Sequence, residues 1–332
     1  GSGSFLVGAY SYLLNYHLDY YTKDKNLKNA LKNSKIYQVS DKNYKLAIEE
    51  KQKILVNNIY GVDIDSQAVE VTKLSLYLKL LENEGKEAEG FLFKHSDLKL
   101  LPTLDKNIKC GNSLIGSDFY NDKDLSLFGN DEMRKVNVFD WDKEFPEIFK
   151  NGGFDVCIGN PPYVRYENLS EELIIYSKTK YQCSQGFFDI FQLFLEKSFY
   201  IIRKDGKLGF IFPSLFLKGM SYKLSRKFFI ENTYIDVIRN YGDDVFFNVK
   251  MPTFIFIVSK KNKMNERINF YIKKNTSFNC IQINQEKLIN DNYIFESSDL
   301  ASKISLDCIK LSDLIEITRG LEIGKNKAII DS

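Results

Sequence analysis

The stretch that most constrains the fold is residues 154–167, which read FDVCIGNPPYVRYE. Residues 154–159 are a short run of strand formers, and two prolines follow it, so the pattern predicts a buried strand that ends in a rigid corner. The corner carries the planar amide of Asn160, backbone carbonyls beside the proline pair, and an aromatic ring, Tyr163, that we expect to be exposed. These groups suit the recognition of a planar base that bears an amino group.

Composition predicts a globular chain of one large or two ordinary domains. The 332 residues are 44% hydrophobic and 14% aromatic, which is ample for a packed core. The formal net charge of +2 is too small to indicate a polyanionic partner. Any binding of nucleic acid must therefore come from local clusters of charge.

The cysteines and the most apolar segment exclude several classes of protein. Five scattered cysteines with no C-x-x-C pair argue against a disulfide framework and against a zinc site, so we predict no metal and a reducing cytoplasm. Residues 186–202 are apolar but interrupted by charges, which favours a buried helix over a membrane span. No signal peptide is recognisable, and the opening Gly-Ser-Gly-Ser without Met indicates that this is not the natural start.

Residues 58–81 read as a strand followed by a helix. We predict a strand over residues 59–64, a helix cap at Asp65 and Ser66, and an apolar helix beyond them. Asp63 then stands at the carboxyl end of the strand, where an acid commonly binds both ribose hydroxyls of a nucleotide. The alternative is a carboxylate that is solvated or caps the helix.

Two further segments resemble parts of a nucleotide site. Residues 108–117 predict a short strand that ends before Asn112, whose amide could bind an adenine edge or could serve only in a turn. Residues 1–22 predict a glycine turn that leads into a helix, and such an N-terminus seats a carboxylate or phosphate. Alternatively, the Gly-Ser-Gly-Ser is an appended linker.

The remaining segments predict the strands of the sheet and the elements around it. Residues 23–58 are rich in lysine and asparagine and indicate a solvated insertion with a helix near residues 45–55. A helix over residues 186–203, ended by residues 204–206, precedes the predicted strands. These strands cover residues 207–213, 235–241 and 252–259. The alternation predicts a parallel, doubly wound α/β sheet whose last two strands could form an antiparallel hairpin.

Between the corner and this helix lies a loop that mixes cations with aromatic residues. Arg165, Lys178 and Lys180 alternate with Tyr166 and Tyr181. This mixture suits contacts to a nucleic-acid backbone, although an ordinary surface loop has a similar composition.

Six segments in order carry a resemblance to a known family. They are GSGSFL, NIYGVDID, IKCGNSLIG, CIGNPPYVR, KLGFIFP and DVFFNVKMPTF. Together they resemble the gamma-class adenine-N6 DNA methyltransferases. The chain looks most like the methylase part of large bacterial restriction-modification enzymes of the type IIG kind.

The resemblance implies a fold and a domain division. The fold would be the doubly wound, seven-stranded, Rossmann-like sheet of S-adenosylmethionine-dependent methyltransferases, with its first strand missing. Residues 1–261 would be the catalytic domain, with residues 22–58 as an insertion. Residues 262–332 would be a connecting segment and the beginning of a target-recognition domain, and any cleavage domain would lie upstream.

The resemblance also implies roles for individual residues, with S-adenosylmethionine as cofactor and double-stranded DNA as partner. Gly1, Gly3 and Ser4 would lie beside the methionine part of the cofactor, Asp63 would bind its ribose, and Asn112 its adenine. Asn160, Pro161, Pro162 and Tyr163 match the catalytic motif. Phe246 would stack on the target adenine opposite Tyr163, with Phe247 as the close alternative, although both phenylalanines could instead lie in the core.

Two other functions remain open at this stage. The same cofactor could serve methylation of another planar nitrogen, in protein glutamine or RNA guanine, because those enzymes share the NPPY motif. Alternatively, the incomplete first motif would leave an inactive fragment that only binds nucleic acid.

Overall fold

Helices and strands interleave along the chain, which confirms the predicted α/β class. The computed structural model describes residues 2–82, 101–121, 136–242, 251–261, 267–274, 277–290 and 293–295. Its helices are α1 (Ser4–Thr22), α2 (Asp24–Lys32), α3 (Ile48–Asn58), α4 (Ser66–Leu81), α5 (Trp141–Glu144), α6 (Pro146–Lys150), α7 (Glu171–Lys180), α8 (Ile190–Ile201), α9 (Lys223–Asn232) and α10 (Gln285–Asn290). Its strands are β1 (Ile36–Ser40), β2 (Asn43–Leu46), β3 (Gly61–Asp63), β4 (Ile108–Cys110), β5 (Phe154–Gly159), β6 (Ile202–Pro213), β7 (Tyr234–Gly242), β8 (Thr253–Ser259), β9 (Arg267–Lys274) and β10 (Ser277–Asn284).

The largest sheet has six strands within the described residues, in the order β10-β9-β7-β8-β6-β5. β5 runs parallel to β6 and β7 runs parallel to β9, whereas the other three neighbouring pairs are antiparallel. The predicted antiparallel pairing of β7 with β8 is confirmed. The sheet is mixed rather than mainly parallel, because β8 lies antiparallel between β6 and β7.

Alternate side chains of β6 anchor the sheet in the core. Leu208, Phe210 and Phe212 point to one face and are at most 5% exposed, as the two-residue period of a strand requires. The ring of Phe212 lies 5.1 Å, centroid to centroid, from that of Phe191 in α8. Burial of each such side chain contributes roughly 1.5–3 kcal/mol. This packing fixes β6, and with it the neighbouring strand β5.

A separate, smaller sheet consists of β3 and β4, which run parallel. It shares a core with α1, α3 and α4, in which Leu55, Leu76 and Leu80 are fully buried. The helix predicted near residues 45–55 is confirmed as α3. The stretch of residues 23–58, predicted as a solvated insertion, also forms α2 and the β1-β2 hairpin, and most of its charged residues are exposed. It also contributes buried side chains such as Ile36 and Leu46 to that core.

Several predicted boundaries shift by a few residues. The apolar helix is Ile190–Ile201 rather than residues 186–203, and residues 204–206 lie within β6 instead of ending the helix. The predicted strand at residues 59–64 is reduced to Gly61–Asp63. No helix in the described part of the chain is both long and apolar enough to cross a bilayer.

Candidate functional site

The strand that precedes the proline corner has the predicted bounds, Phe154–Gly159. Its pairing with β6 ends at Gly159 opposite Phe210, and the corner follows, with Asn160 and Pro162 exposed and Pro161 buried. The prediction that β5 is buried is wrong. It lies at the edge of the sheet, and Val156 and Ile158 are 57% and 38% exposed.

Tyr163 is half-buried rather than openly exposed. Its hydroxyl lies 2.6 Å from Asn160 Oδ1 and 3.0 Å from the carbonyl oxygen of Ile211 in β6, so a single proton is shared between two acceptors. The ring meets Phe191 edge to face, with 6.1 Å between the centroids. Burial raises the pKa of Tyr163 to about 12, which keeps the hydroxyl a donor at neutral pH.

The hydroxyl therefore gives the corner an internal brace that the sequence analysis missed. By donating to Asn160 Oδ1, Tyr163 limits rotation of the exposed amide and fixes the direction in which its oxygen points. The signal was present in the spacing, because two prolines turn the chain sharply enough for residues three apart to meet. A carbonyl oxygen has two lone pairs, so Asn160 Oδ1 can still accept a second hydrogen bond.

The structure brings Asp63 and Asn112 together at one edge of the smaller sheet. Asp63 pairs with Cys110 across the parallel strands, and its carbonyl oxygen accepts a hydrogen bond of 2.9 Å from Gly111 N. Asp63 Oδ1 accepts from Asp65 N at 2.9 Å, while Asp65 caps α4 as predicted. The carboxylate thus shapes the turn into α4 and also stands at the carboxyl end of the strand.

Asn112 does have the turn role that the sequence left open. Its Oδ1 accepts from Leu114 N at 3.1 Å, and its backbone N–H donates to Asn137 O at 2.6 Å. Among the described residues the Asn112 side-chain nitrogen has no hydrogen-bond partner. The side-chain nitrogen of Asn112 is therefore available to donate to a ligand.

The first helix begins in a close-packed glycine turn. Gly3 has a left-handed φ of 70°, and a Cβ at this position would lie 2.5 Å from Thr72 Cγ2 in α4. Ser4 is the first residue of α1, whose N-terminus has no side-chain cap. A Cβ on Gly61 of β3 would lie 2.7 Å from Leu6 Cδ1. The helix start is thus part of the fold, which disfavours the interpretation of this turn as an appended linker.

The predicted DNA-contacting cations follow the corner along the chain and differ in their surroundings. Arg165 is exposed, and Lys178 Nζ lies 5.4 Å from the ring centroid of Tyr166. Lys180 forms an ion pair of 2.5 Å with Asp118, so its charge is partly neutralised. Gly1, Phe246 and Phe247 lie outside the described residues, as do residues 296–332, the last part of the predicted connecting segment and target-recognition domain.

A second link to the corner comes from Asp189, which the sequence analysis treated only as an interruption of an apolar stretch. Asp189 precedes α8 in a capping box with Gln192, and its carboxylate accepts a 2.6 Å hydrogen bond from the hydroxyl of Tyr222. Burial raises the pKa of Asp189. The next residue, Ile190, donates its N–H to Val164 O at 2.9 Å. The segment after β6 is thereby tied to the chain that leaves the corner.

Comparison with known proteins gives one family and several relatives. A family model described as Eco57I restriction-modification methylase matches residues 57–247, more than half of the chain. The chain is 36% identical to the type II restriction enzyme and methyltransferase RM.Eco57I of Escherichia coli, over 82% of this chain and 25% of that protein. It is 26% identical to the putative type II restriction enzyme and methyltransferase RM.MjaORFECS2P of Methanocaldococcus jannaschii, over 84% of this chain and 34% of that protein.

The chain thus spans about a quarter to a third of the length of these two relatives. Among solved structures, the ATP-dependent Type ISP restriction-modification enzyme LlaBIII, bound to DNA, aligns with a TM-score of 0.50 and 15% identity. The alignment covers 88% of this chain and 18% of that one. At this identity the likeness shows the fold alone.

Proposed function

The chain belongs to the Eco57I restriction-modification methylase family, and from this premise we propose that it is the methyltransferase part of a restriction-modification enzyme. The proposed reaction transfers a methyl group from S-adenosylmethionine to N6 of an adenine in double-stranded DNA. The observation that carries the proposal is the corner of residues 160–163, where an exposed amide oxygen is braced by a tyrosine hydroxyl.

The adenine amine is a weak nucleophile because its lone pair is delocalised into the ring, and the corner would raise its nucleophilicity. Asn160 Oδ1 and the Pro161 carbonyl would accept the two N6 protons and favour a pyramidal nitrogen with its lone pair free to attack. When bound, S-adenosylmethionine would supply an electrophilic sulfonium methyl, so that the S–C bond would break as the N–C bond forms and one N6 proton would then leave to solvent. Acceptors fixed in advance act by electrostatic preorganisation, and removal of one such partner lowers rates by about 10²- to 10³-fold.

The described residues fit the cofactor by the chemistry of their groups. The uncapped N-terminus of α1 at Gly3 and Ser4 offers N–H groups at the positive end of a 19-residue helix, which suits the methionine carboxylate. Asp63 offers a carboxylate to the ribose hydroxyls. The side-chain nitrogen of Asn112 has no hydrogen-bond partner among the described residues, so Asn112 would donate an N–H to an adenine ring nitrogen.

The target adenine must leave the duplex to reach this corner, at a cost of a few kcal/mol. The open face of Tyr163 would receive the base, and stacking returns roughly 1–3 kcal/mol. Phe246 is proposed for the opposite face of the base. Arg165, Lys178 and Lys180 are proposed as contacts to the DNA backbone, with Lys180 the weakest because of its ion pair with Asp118.

We also propose that one more parallel strand, preceding α1, joins the two sheets. The seven-stranded core would then have the order β4-β3-added strand-β5-β6-β8-β7, and β9 and β10 would extend it. β3 and β5 are edge strands of separate sheets in the described residues. The ring of Tyr60, just before β3, meets that of Phe154 at the start of β5, with 5.7 Å between the centroids. A strand between them would cover the exposed Val156 and Ile158. Residues 1–261 would then belong to the catalytic domain, and residues 262–332 would lead to target recognition.

The proposal is tested by methylation with the full-length protein. Sequencing of methylated adenines in DNA from expressing cells gives the recognised site, and a duplex with that site then serves as substrate for the purified protein. Asn160→Ala should lose about 10²- to 10³-fold in rate. The control Asn33→Ala, at an exposed helix end, should keep full activity.

Analysis of the product by mass spectrometry distinguishes the alternatives. N6-methyladenine in digested DNA supports the proposal. Methylated glutamine in a release factor or methylated guanine in RNA, without methylated DNA, would instead support the other planar-nitrogen substrates. Binding of DNA with no heat from S-adenosylmethionine at millimolar concentration would identify an inactive binding protein.

A further inference from the structure

The segment that follows β6, residues 214–222, holds two apolar side chains out in solvent. Met220 is 77% exposed and Leu215 is 56% exposed. β5 and β6 are adjacent and parallel, so this segment and the proline corner leave the same edge of the sheet from neighbouring strands, about 5 Å apart. The loop that carries these exposed apolar side chains therefore begins next to the corner where a base would enter.

The segment is held rigidly. The fully buried guanidinium of Arg226 donates through Nη1 to the carbonyl oxygens of Phe216 and Gly219, both at 2.7 Å. At the far end of the segment, the hydroxyl of Tyr222 donates to Asp189. Met220 is thus presented by a loop whose backbone is fixed on both sides, so little conformational entropy would be lost if it entered a partner.

The sequence around these side chains is basic. Residues 214–227 contain Lys218, Lys223, Arg226 and Lys227 and no acidic residue. Lys218 and Lys227 are exposed. Apolar side chains on a rigid, basic loop complement a DNA duplex, in which phosphates flank a stack of bases.

We propose that Met220, supported by Leu215, is a wedge that enters the duplex beside the extruded adenine and stabilises the gap left in the stack. This inference rests on the proposed function. Apolar side chains inserted between base steps keep a duplex open in other DNA-binding proteins. Here the wedge and the receiving corner would be carried by adjacent strands of one sheet.

Single-turnover methylation by the full-length protein tests the wedge with two duplexes. In one the target adenine is paired with thymine, and in the other it faces an abasic position, where extrusion requires no unpairing. We expect Met220→Ala to slow methylation about 10-fold on the paired duplex, the equivalent of about 1.4 kcal/mol, and to leave the rate on the abasic duplex close to that of the wild type. Met220→Leu should retain the wild-type rate on both.

Leu78→Ala is the matched control, since Leu78 on α4 is 63% exposed and lies away from the corner. An equal loss by Met220→Ala on both duplexes, or no loss on either, would overturn the wedge. An equal loss on both duplexes would indicate that Met220 supports another part of the protein. A wild-type protein that methylates neither duplex would instead overturn the proposed function itself.

Discussion

Replacing Tyr163 by phenylalanine removes the hydroxyl and keeps the ring, so it separates the two roles proposed for this side chain. The hydroxyl braces Asn160 Oδ1 at 2.6 Å and reaches Ile211 O at 3.0 Å. A hydrogen bond of this kind contributes about 0.5–1.5 kcal/mol, which corresponds to about 2- to 13-fold in rate if it is expressed fully in the transition state. Tyr163→Ala also loses stacking of roughly 1–3 kcal/mol, so the combined loss of about 1.5–4.5 kcal/mol corresponds to about 10- to 2,000-fold in rate.

The assay is single-turnover methylation at saturating DNA and cofactor, with cofactor affinity measured separately by calorimetry. Both variants should bind S-adenosylmethionine like the wild type, because Tyr163 belongs to the corner and not to the edge where Asp63 lies. Tyr12→Phe, on the surface of α1, is the control and should change nothing. A phenylalanine variant as slow as the alanine variant would refute the stacking role, and one with the full rate would refute the brace.

The raised pKa of Tyr163 adds a pH signature. Burial raises it to about 12, whereas an unfolded tyrosine titrates near pH 10, so the fold favours the neutral phenol. The stabilisation from the hydroxyl is complete below about pH 10 and is lost as the pH rises towards about 12. The difference in unfolding free energy between the wild type and Tyr163→Phe should therefore be constant from about pH 7 to 9 and shrink above about pH 10.

Three further predictions concern the cofactor edge and the loop after β6. Gly3→Ala should destabilise the protein in thermal unfolding by about 1–3 kcal/mol, because Gly3 has a left-handed φ and a Cβ there would collide with Thr72. The control Gly8→Ala, where a Cβ meets open space, should stabilise the protein by about 0.5–1 kcal/mol. Asp63→Asn should weaken S-adenosylmethionine binding in calorimetry by about 10- to 100-fold through the loss of a charged acceptor, and an unchanged affinity would contradict the ribose role. Arg226→Lys should lower the unfolding free energy in urea by about 2 kcal/mol or more, because an ammonium group cannot span the carbonyls that the guanidinium bridges.

The elements predicted correctly are those with local signals. The two prolines define the end of β5 at Gly159, and Asp65 caps α4 through its own side chain, accepting from Gln67 N. Strand formers and turn residues were also sufficient to predict that β7 and β8 could pair antiparallel. The adjacency of Asp63 and Asn112 followed from a general rule, since the carboxyl ends of parallel strands meet at one edge of a sheet.

What the sequence did not reveal depends on contacts between distant residues. The burial of Ile36, Leu46 and Leu55 comes from packing in the core that contains α1, and the lysine-rich composition of the surrounding sequence concealed it. The exposure of Val156 and Ile158 depends on which strand lies beside β5, and no local pattern encodes that neighbour. The link between Asp189 and Tyr222 joins residues 33 positions apart, so in the sequence Asp189 was visible only as a charge within an apolar stretch.

The half-burial of Tyr163 satisfies two requirements of the corner: the amide of Asn160 must be oriented, and one face of the tyrosine ring must stay accessible to a base. An exposed amide such as Asn160 rotates freely, and ordering such a side chain on binding costs about 0.5–1.5 kcal/mol. A stacking ring must also keep one face open. The edge contact with Phe191 and the hydroxyl bond to β6 hold the ring in place, and the same hydroxyl orients the amide. A phenylalanine at this position could still stack on the base. Without the hydroxyl, however, part of the substrate's binding energy would be needed to order Asn160. We therefore expect Tyr163→Phe and Tyr163→Ala to differ in rate.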